Sequence, residues 1–430
     1  MSLTKTPVKG MCDMLPSDMR LRQKVSGMIR EAYSGSGFME IETPVMEHIE
    51  NLTSKQGGDN EKLIFKVMKR GADLGRALEK QGELADFGLR YDLTLPLARY
   101  YSNNKDVLPS PFKALQIGNV WRADKPQKGR FRQFTQCDID ILGDSSALAE
   151  IELISATGNM LKEIFELIGG RDFTVHVNDR RLLTAAAISA GFSEEDTEPL
   201  LISLDKADKI GFEGVKKELI ENGYDEAKVD NYLRLYAVSN DNECTSSDSE
   251  SKKNDLRSFA AGIGEDCISE DVIASLEDII KQSRTVVPDG VSIVFDPSLV
   301  RGMGYYTGTI FEVTIDGYNF SIAGGGRYDK MIGRFTGQDT PAVGFSIGFE
   351  RIITILKDEL TDGFKLPEGS TAILIGKKVS PEGRMNALKE ASELRKNGTT
   401  VIIQPMQKNL GHQIESLEKE GYTEFRKIYE

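Results

Sequence analysis

One segment, residues 122–140, constrains the fold most strongly, because it joins two strand-like runs by a basic loop. Side chains along a strand alternate between its two faces. With that period the segment has a polar face and an apolar face: Arg130, Arg132, Gln136 and Asp140 on the first, and Phe131, Cys137, Ile139 and Ile141 on the second. The segment therefore predicts an antiparallel hairpin with one face in the core and the other forming a polar floor.

The polar floor indicates a class of ligand. Arg, Gln and Asp side chains in register, next to a loop that contains Lys125, Lys128 and Arg130, suit an anionic ligand with an amine-bearing part. ATP together with an amino acid fits that description.

The whole chain carries a net charge of −13, which argues against a nucleic-acid partner. Residues 122–132, however, contain five cations and one acid, so a local basic patch remains.

Length and composition exclude several other classes. A chain of 430 residues with 39% apolar residues is expected to form two or three domains. No run approaches the roughly 20 apolar residues of a membrane span, and the N-terminus lacks an apolar signal core, so we expect a cytoplasmic protein with no membrane partner. The four cysteines form no C-x-x-C pair and the three histidines are isolated, which predicts no tightly bound metal and no Ser-His or Cys-His catalysis.

The order of helix-like and strand-like patterns predicts an α+β fold, an antiparallel sheet flanked by helices. Helical, charged sequence interrupts the strand patterns and is interpreted as an insertion, within which the polar run 239–254 predicts a mobile loop. After Pro367, strands and helices alternate and predict a small α/β module with two parallel strands. The predicted domains are 1–178 and 289–366 for the two parts of the core, 179–288 for the helical insertion and 367–430 for the terminal module.

Three local patterns predict side-chain directions. Thr94 is expected to cap the start of a helix. Tyr305 and Tyr306, interpreted as part of a strand, are expected to point to opposite faces of the sheet. Residues 342–348 alternate small and bulky side chains, and their small face would let a flat ring or a phosphate approach the backbone.

Five segments resemble those of one enzyme family. Residues 37–44 (GFMEIETP), 122–140 and 342–351 are similar to motifs 1, 2 and 3 of class II aminoacyl-tRNA synthetases. Residues 299–309 (LVRGMGYYTGT) and 324–329 (GGGRYD) are similar to the signature peptides of the enzymes specific for histidine. The chain therefore resembles histidyl-tRNA synthetases over nearly its whole length, which implies their catalytic sheet, their helical insertion and a C-terminal module of the anticodon-binding type.

The resemblance implies a role for each matching residue. Histidine would be bound by Asp92, Leu93, Thr94, Gln136, Asp140, Arg301, Tyr305 and Tyr306. Of these, Asp92 and Thr94 would hold the amino group, with Gln136 near the carboxylate side, while Asp140 and the two tyrosines would contact the imidazole. ATP would be bound by Arg122, Arg130 and Arg351, with Mg²⁺ as its counterion, and Arg301 and Arg122 would be the catalytic residues. The histidine carboxylate is already ionised at neutral pH, so its activation needs positioning and charge neutralisation, and no general base.

The resemblance also implies a reaction and partners. The family activates L-histidine with ATP, transfers it to histidine tRNA and forms homodimers through motif 1. The terminal module is shorter than is usual in the family, so we expect anticodon contact to be reduced or absent. Gly304 stands where an Asp is frequent, and any contact of that Asp is in question. Two alternatives stay open: a catalytically silent regulatory subunit of ATP phosphoribosyltransferase, and a synthetase for another amino acid, which residues 301–309 disfavour.

Overall fold

The structure is a computed structural model that describes residues 3–53, 60–126, 131–237, 256–264, 266–300, 305–360 and 364–429. Its helices are α1 (Pro16–Gly35), α2 (Ile49–Leu52), α3 (Gly71–Glu79), α4 (Thr94–Asn104), α5 (Leu148–Phe165), α6 (Arg180–Ser189), α7 (Thr197–Leu204), α8 (Ala207–Glu221), α9 (Glu226–Ala237), α10 (Leu256–Ile263), α11 (Glu270–Val286), α12 (Asp329–Thr336), α13 (Phe349–Glu359), α14 (Pro381–Lys396) and α15 (Leu410–Glu420). Its strands are β1 (Met39–Glu40), β2 (Met46–His48), β3 (Lys66–Met68), β4 (Ala85–Leu89), β5 (Phe112–Trp121), β6 (Gln133–Leu142), β7 (Phe173–Asp179), β8 (Val291–Phe295), β9 (Thr309–Ile315), β10 (Ala323–Arg327), β11 (Ala342–Ile347), β12 (Thr371–Ile375), β13 (Val401–Pro405) and β14 (Glu424–Ile428).

The chain divides into two compact units. The first contains Met1–Cys12 and Val25–Leu356, and the second contains Asp13–Lys24 and Lys357–Glu430. The boundary falls inside α1 and α13, so each of these helices contributes residues to both units. In the parts of the chain that the structure describes, no helix combines the length and the apolar character that a membrane crossing requires.

The first unit is built on an eight-stranded sheet in the order β1-β5-β6-β11-β10-β9-β7-β8. The five pairings in its middle are antiparallel, and the pairing at each edge, β1 with β5 and β7 with β8, is parallel. A separate antiparallel sheet has the order β2-β4-β3. The predicted α+β fold with an antiparallel sheet flanked by helices is confirmed.

The hairpin of β5 and β6 provides the second and third strands of this sheet, next to the edge strand β1. Its strands pair antiparallel from Phe112 opposite Leu142 to Trp121 opposite Gln133. The apolar face of β6 is fully buried. Cys137, Ile139 and Ile141 on this face are each 0–1% exposed. Burial of these side chains on one face of β6 turns the other face toward the cavity described below.

The helices α6 to α11 fill the sequence between β7 and β8. These two strands are parallel neighbours, and a parallel pair requires a long connection that returns to the starting end of the sheet. The block begins where the Asp179 carboxylate accepts a hydrogen bond from the Arg181 N–H at 2.8 Å, which caps α6. The predicted loop 239–254 lies outside the described residues.

The second unit contains a parallel sheet in the order β13-β12-β14. Side chains from the two faces of β12 pack into separate apolar clusters, one around Leu374 and Leu417 and the other around Ile373 and Ala391. The sequence predicted β12 and β13 as a parallel pair. It did not predict β14, because that edge strand has a charged sequence and no fully buried side chain.

Candidate active site

A cavity of about 450 Å³ lies over the polar face of β6 in the first unit. Its floor contains Gln136, Asp138 and Asp140, which are spaced two residues apart and therefore share one face of the strand. All three side chains are buried, with 3–7% of their surface exposed. The sequence pattern predicted Gln136 and Asp140 on this face but missed Asp138, although the same period places it there.

Small residues on the neighbouring strands make room for this floor. Gly118 on β5 lies opposite Gln136, and Gly344 on β11 lies opposite Asp140. A Cβ atom at position 344 would lie well inside van der Waals contact with Asp140 Oδ1. The predicted face of small residues in 342–348 does line the cavity, with Gly344, Ser346 and Gly348 among its walls.

Replacement of Gly344 by Ala is expected to displace the Asp140 carboxylate and to lower the affinity for a ligand bound over the floor. A forced shift of a buried, hydrogen-bonded carboxylate costs about 1–3 kcal/mol, or about 5- to 150-fold in affinity. Isothermal titration with L-histidine, the ligand that the sequence resemblance implies, measures the effect. Gly35→Ala is the matched control, because a Cβ there meets nothing within 4 Å. Unchanged affinity in Gly344→Ala would contradict this account of the floor.

The carboxyl groups of the half-buried Asp92 and of the buried Asp138 and Asp140 give the cavity its electrostatic character. Burial raises the pKa of Asp92, although the Leu95 N–H and Arg122 act in the opposite direction. Burial also raises the pKa of Asp138 to about 7. Burial and the charge of Asp138 raise the pKa of Asp140 well above its usual range. A cationic ligand relieves the repulsion among these acids, so this part of the cavity favours ammonium or imidazolium groups.

Asp140 and Asp92 also have structural partners. The Tyr328 hydroxyl donates a hydrogen bond to Asp140 Oδ1. Asp92 Oδ1 accepts from the Leu95 N–H at 3.2 Å at the start of α4. The prediction that Thr94 caps this helix is therefore wrong, because Thr94 is its first helical residue and the N-cap position is Leu93. Sequence reasoning missed Tyr328 as a cavity residue, although it belongs to the family-like segment 324–329.

Among the residues that the structure describes, two arginines line the cavity, and each is held by a backbone carbonyl. Arg122 Nε donates to the Tyr91 carbonyl at 2.9 Å, and its guanidinium lies 5.2 Å from the centroid of the Phe134 ring. Arg351 Nη1 donates to the Ser321 carbonyl at 2.6 Å. These bonds fix the plane of each guanidinium, and planar guanidinium groups bind phosphate or carboxylate oxygens through paired hydrogen bonds.

Tyr305 and Tyr306 both line the cavity. Their hydroxyl groups are 3.2 Å apart and their ring centroids 4.4 Å apart. The prediction that they point to opposite faces of a sheet is wrong, because they lie in an irregular segment and β9 begins only at Thr309. Strand alternation does not apply to such a segment, so both rings can turn to the same side.

Two other expectations about the floor are corrected. Arg132 was predicted on the polar floor, but its side chain donates to the carbonyls of Asp124 at 3.1 Å and Lys9 at 3.5 Å. Phe131 was predicted in the core but lines the cavity. The alternation fails at both positions because β6 begins at Gln133.

The remaining site predictions divide into three groups. Asp92, Thr94 and Arg351 line the cavity together with the residues above. The Leu93 side chain is 1% exposed and is not among the lining residues, and its carbonyl accepts from Gln116 Nε2 at 3.1 Å. Arg130 and Arg301 lie outside the described residues. Within the described ranges no cluster of three or more His, Cys, Asp or Glu side chains is arranged to hold a metal ion.

A buried ion pair supports the cavity from behind β10. Arg327 Nε and Nη2 donate to the two carboxylate oxygens of Glu150 at 2.6 and 2.7 Å, which ties β10 to α5. The Arg327 carbonyl accepts from the Thr307 N–H at 2.8 Å. Arg327 therefore holds two parts of the site in place. One is strand β10, which carries Gly324 and Gly325 into the cavity wall, and the other is the segment that follows Tyr306.

Comparisons with known proteins agree over most of the chain. A family model described as histidyl-tRNA synthetase matches residues 10–352. A histidine–tRNA ligase of Leifsonia xyli subsp. xyli is 43% identical, covering 98% of this chain and 94% of the relative, and one of Rhodopirellula baltica is 35% identical, covering 97% and 88%. The crystal structure of histidyl-tRNA synthetase from Nostoc sp. PCC 7120 aligns with a TM-score of 0.76 at 29% identity, covering 97% of this chain and 90% of that one.

A second solved structure supports the fold alone. This protein, an ATP phosphoribosyltransferase regulatory subunit/histidyl-tRNA synthetase from Bacillus halodurans C, aligns with a TM-score of 0.76 at 20% identity, covering 100% of both chains. Identity at that level does not distinguish a regulatory subunit from a synthetase.

Proposed function

Because the chain belongs to the histidyl-tRNA synthetase family, it is a histidine–tRNA ligase, and we propose how its cavity divides the substrates of that reaction. The enzyme activates L-histidine with ATP to histidyl-adenylate and transfers the histidyl group to the 3′ end of histidine tRNA. The observation that supports this division of the substrates is the separation of charge in the cavity. Carboxyl groups are buried on the floor, and the guanidinium groups of Arg122 and Arg351 line another part.

Histidine is assigned to the acidic part of the cavity. Asp92 and Thr94 hold the α-amino group, and Asp140 with Tyr305 and Tyr306 contacts the imidazole. The raised pKa values of Asp92 and Asp140 support this assignment, because a bound cation stabilises their ionised forms. Leu93 contributes through its position between Asp92 and Thr94 and not through its buried side chain.

ATP is assigned to the arginine part of the cavity. Arg122 and Arg351 bind phosphate oxygens, and the sequence similarity adds Arg130 for ATP and Arg301 for the junction of the histidine carboxylate with the α-phosphate. Mg²⁺ would accompany ATP as its counterion, and the Glu350 carboxylate, which lines the cavity next to Arg351, would be a candidate oxygen ligand for it. When bound, Mg²⁺ neutralises charge on the phosphates.

The reaction needs alignment more than acid–base chemistry. The histidine carboxylate is ionised at neutral pH and attacks the α-phosphorus, and pyrophosphate leaves. Arg122 and Arg301 neutralise the charge that develops on the α-phosphate as the adenylyl group is transferred to the carboxylate. In the second step the hydroxyl of the terminal tRNA adenosine attacks the mixed anhydride, and AMP leaves.

Three further assignments follow from family membership. We propose that the protein is cytoplasmic and that it forms a homodimer through the region of residues 37–44. An exposed Met39 at the edge strand β1 and an exposed Val45 support such an interface, since 41% of each residue is accessible in the single chain. Residues 367–430 are proposed to contact the tRNA, and the regulatory-subunit alternative keeps support only from a fold match.

Replacement of Arg301 by Ala tests the catalytic assignment. Histidine-dependent exchange between ATP and pyrophosphate, measured without tRNA, is expected to fall below about a tenth of the wild-type rate, because a charge-neutralising contact contributes about 10²–10³ in rate. The other amino acids serve as substrate controls, and circular dichroism and the unfolding temperature report the fold. Exchange above a tenth of wild type in a folded Arg301→Ala would refute the role, and absence of exchange from folded wild-type protein would refute the enzyme assignment itself.

A further inference from the structure

One buried hydrogen bond on the cavity floor has no role in the proposed binding of histidine or ATP. Gln136 Nε2 donates to Asp138 Oδ2 at 2.8 Å. Both side chains are buried, at 7% and 3% exposure, and both line the cavity. Among the described residues, Gln136 Oε1 and Asp138 Oδ1 are buried oxygens with no hydrogen-bond partner. The Gln136 amide and the Asp138 carboxyl group therefore each have one acceptor atom available for a ligand in the cavity.

The bond also determines which way the Gln136 amide faces. An ionised carboxylate can only accept hydrogen bonds, so the group of Gln136 that meets it has to be the NH₂. The amide oxygen is then on the opposite side of the same plane. Buried acceptors without a donor cost about 1–3 kcal/mol each, so an arrangement that leaves two of them points to a ligand that supplies N–H groups.

We propose that Asp138 is a positioning residue for histidine, because its carboxylate holds the Gln136 amide with Oε1 presented to the α-amino group. This inference rests on the proposed location of histidine over the floor of β6. It reverses the expectation that Gln136 serves the carboxylate side of the substrate, because an amide oxygen and a carboxylate repel each other. An ammonium group, in contrast, is a matched donor for Gln136 Oε1.

The surroundings of Asp138 make this arrangement depend on pH. The ionisable groups that act on it are the carboxyls of Asp92 and Asp140, the guanidiniums of Arg90 and Arg122, and the phenols of Tyr33, Tyr305 and Tyr328. Burial raises the pKa of Asp138 to about 7, and hydrogen bonds from Ser346 and Gln136 limit the rise. Once protonated, Asp138 can donate to Gln136 Oε1 and thus hold the amide in the reversed direction, with its NH₂ toward the ammonium group.

Two substitutions at position 138 separate orientation from charge. Asp138→Asn removes the charge and keeps an oxygen that can accept from Gln136 Nε2, whereas Asp138→Ala removes both. If orientation is the role, kcat/KM for histidine at pH 8 falls about tenfold or more in Asp138→Ala and about threefold or less in Asp138→Asn. KM for ATP stays within about twofold of wild type in both variants. Equal losses in the two variants would assign the effect to charge and overturn the proposal.

Two further variants complete the comparison. Gln136→Ala is expected to lower kcat/KM for histidine as much as Asp138→Ala does, and the two losses should not add in the double variant. Asp316→Asn, at an exposed position after β9, is the control for loss of one negative charge. If Gln136→Ala has no effect, the location of histidine is wrong. If Gln136→Ala is impaired while Asp138→Ala is not, only the positioning role is wrong.

The pH profile provides a readout that a purely structural role would not change. The pH dependence of kcat/KM reports groups of the free enzyme and free substrate. The ratio of kcat/KM between wild type and Asp138→Asn cancels the titrations of histidine itself. We expect this ratio to fall as the pH is lowered from 8.5 to 6 through about 7, since only the wild type loses its ionised carboxylate. A ratio that is constant over this range would overturn the proposal.

Discussion

Replacement of Arg122 by Ala is expected to lower histidine-dependent exchange between ATP and pyrophosphate by about 100- to 1,000-fold. The Arg122 guanidinium lines the cavity and is fixed in plane by the Tyr91 carbonyl and in position by the Phe134 ring. A preoriented cation stabilises developing negative charge without reorganising, so its loss acts mainly on the rate of the chemical step. Loss of binding alone would raise KM and leave kcat unchanged.

Two variants control this experiment. Arg122→Lys keeps the charge but loses the planar pair of donors, so it should recover only part of the lost activity. Arg284→Ala removes an arginine whose Nε donates to the Ile293 carbonyl at 2.9 Å, the same kind of contact at a position that is not among the lining residues. Exchange by Arg122→Ala within about tenfold of wild type would contradict the assignment of Arg122 to the α-phosphate of ATP.

Replacement of Glu150 by Ala is expected to lower the free energy of unfolding of the first unit by about 3–5 kcal/mol. Glu150 is 2% exposed and Arg327 is 8% exposed, and they form a bidentate pair. Removal of Glu150 leaves the buried guanidinium with only the longer contact of its Nη1 to Asp329 Oδ1, at 3.3 Å, and this loss of counter-charge accounts for most of the effect. Urea unfolding followed by circular dichroism measures the change.

The double variant Glu150→Leu/Arg327→Met provides the comparison. It removes both charges and retains apolar volume, so it should be more stable than Glu150→Ala even though it carries more substitutions. The surface control is the ion pair of Lys113 on β5 with Glu152, which lies on α5 as Glu150 does. Both side chains of this pair are partly exposed. Lys113→Ala is expected to cost less than about 1 kcal/mol. An equally small decrease in the free energy of unfolding of Glu150→Ala would contradict the importance of the Glu150–Arg327 pair for holding β10 to α5.

The cavity floor was predictable from sequence because a long, regular strand forms it. Alternation in β6 placed Gln136 and Asp140 together, and the structure has them on one buried face. Asp138 obeys the same alternation, but family similarity gave it no role, and it was therefore missed. Strand periodicity was the more complete guide at this position.

The predictions failed where regular structure ends. Tyr305, Tyr306, Phe131 and Arg132 lie outside strands, so a period of two does not describe their directions. The cap of α4 was assigned to Thr94 because threonine is a good capping residue, but the backbone makes Thr94 the first helical residue and Leu93 the N-cap. Edge strand β14 lacks the apolar alternation by which strands are identified.

The pairing of β6 with β11 has a consequence for how the protein is synthesised. Leu142 pairs with Ala342 and Cys137 pairs with Ile347, so the two strands that form the floor are about 200 residues apart in the chain. A ribosome that adds about 5–20 residues per second needs at least about 10 s to make the intervening segment. During that time β6 has an unpaired edge beside its nascent hairpin partner, a template for intermolecular strand pairing. Chaperone binding to the half-made chain is therefore expected to concentrate on the β5–β6 hairpin until β11 emerges.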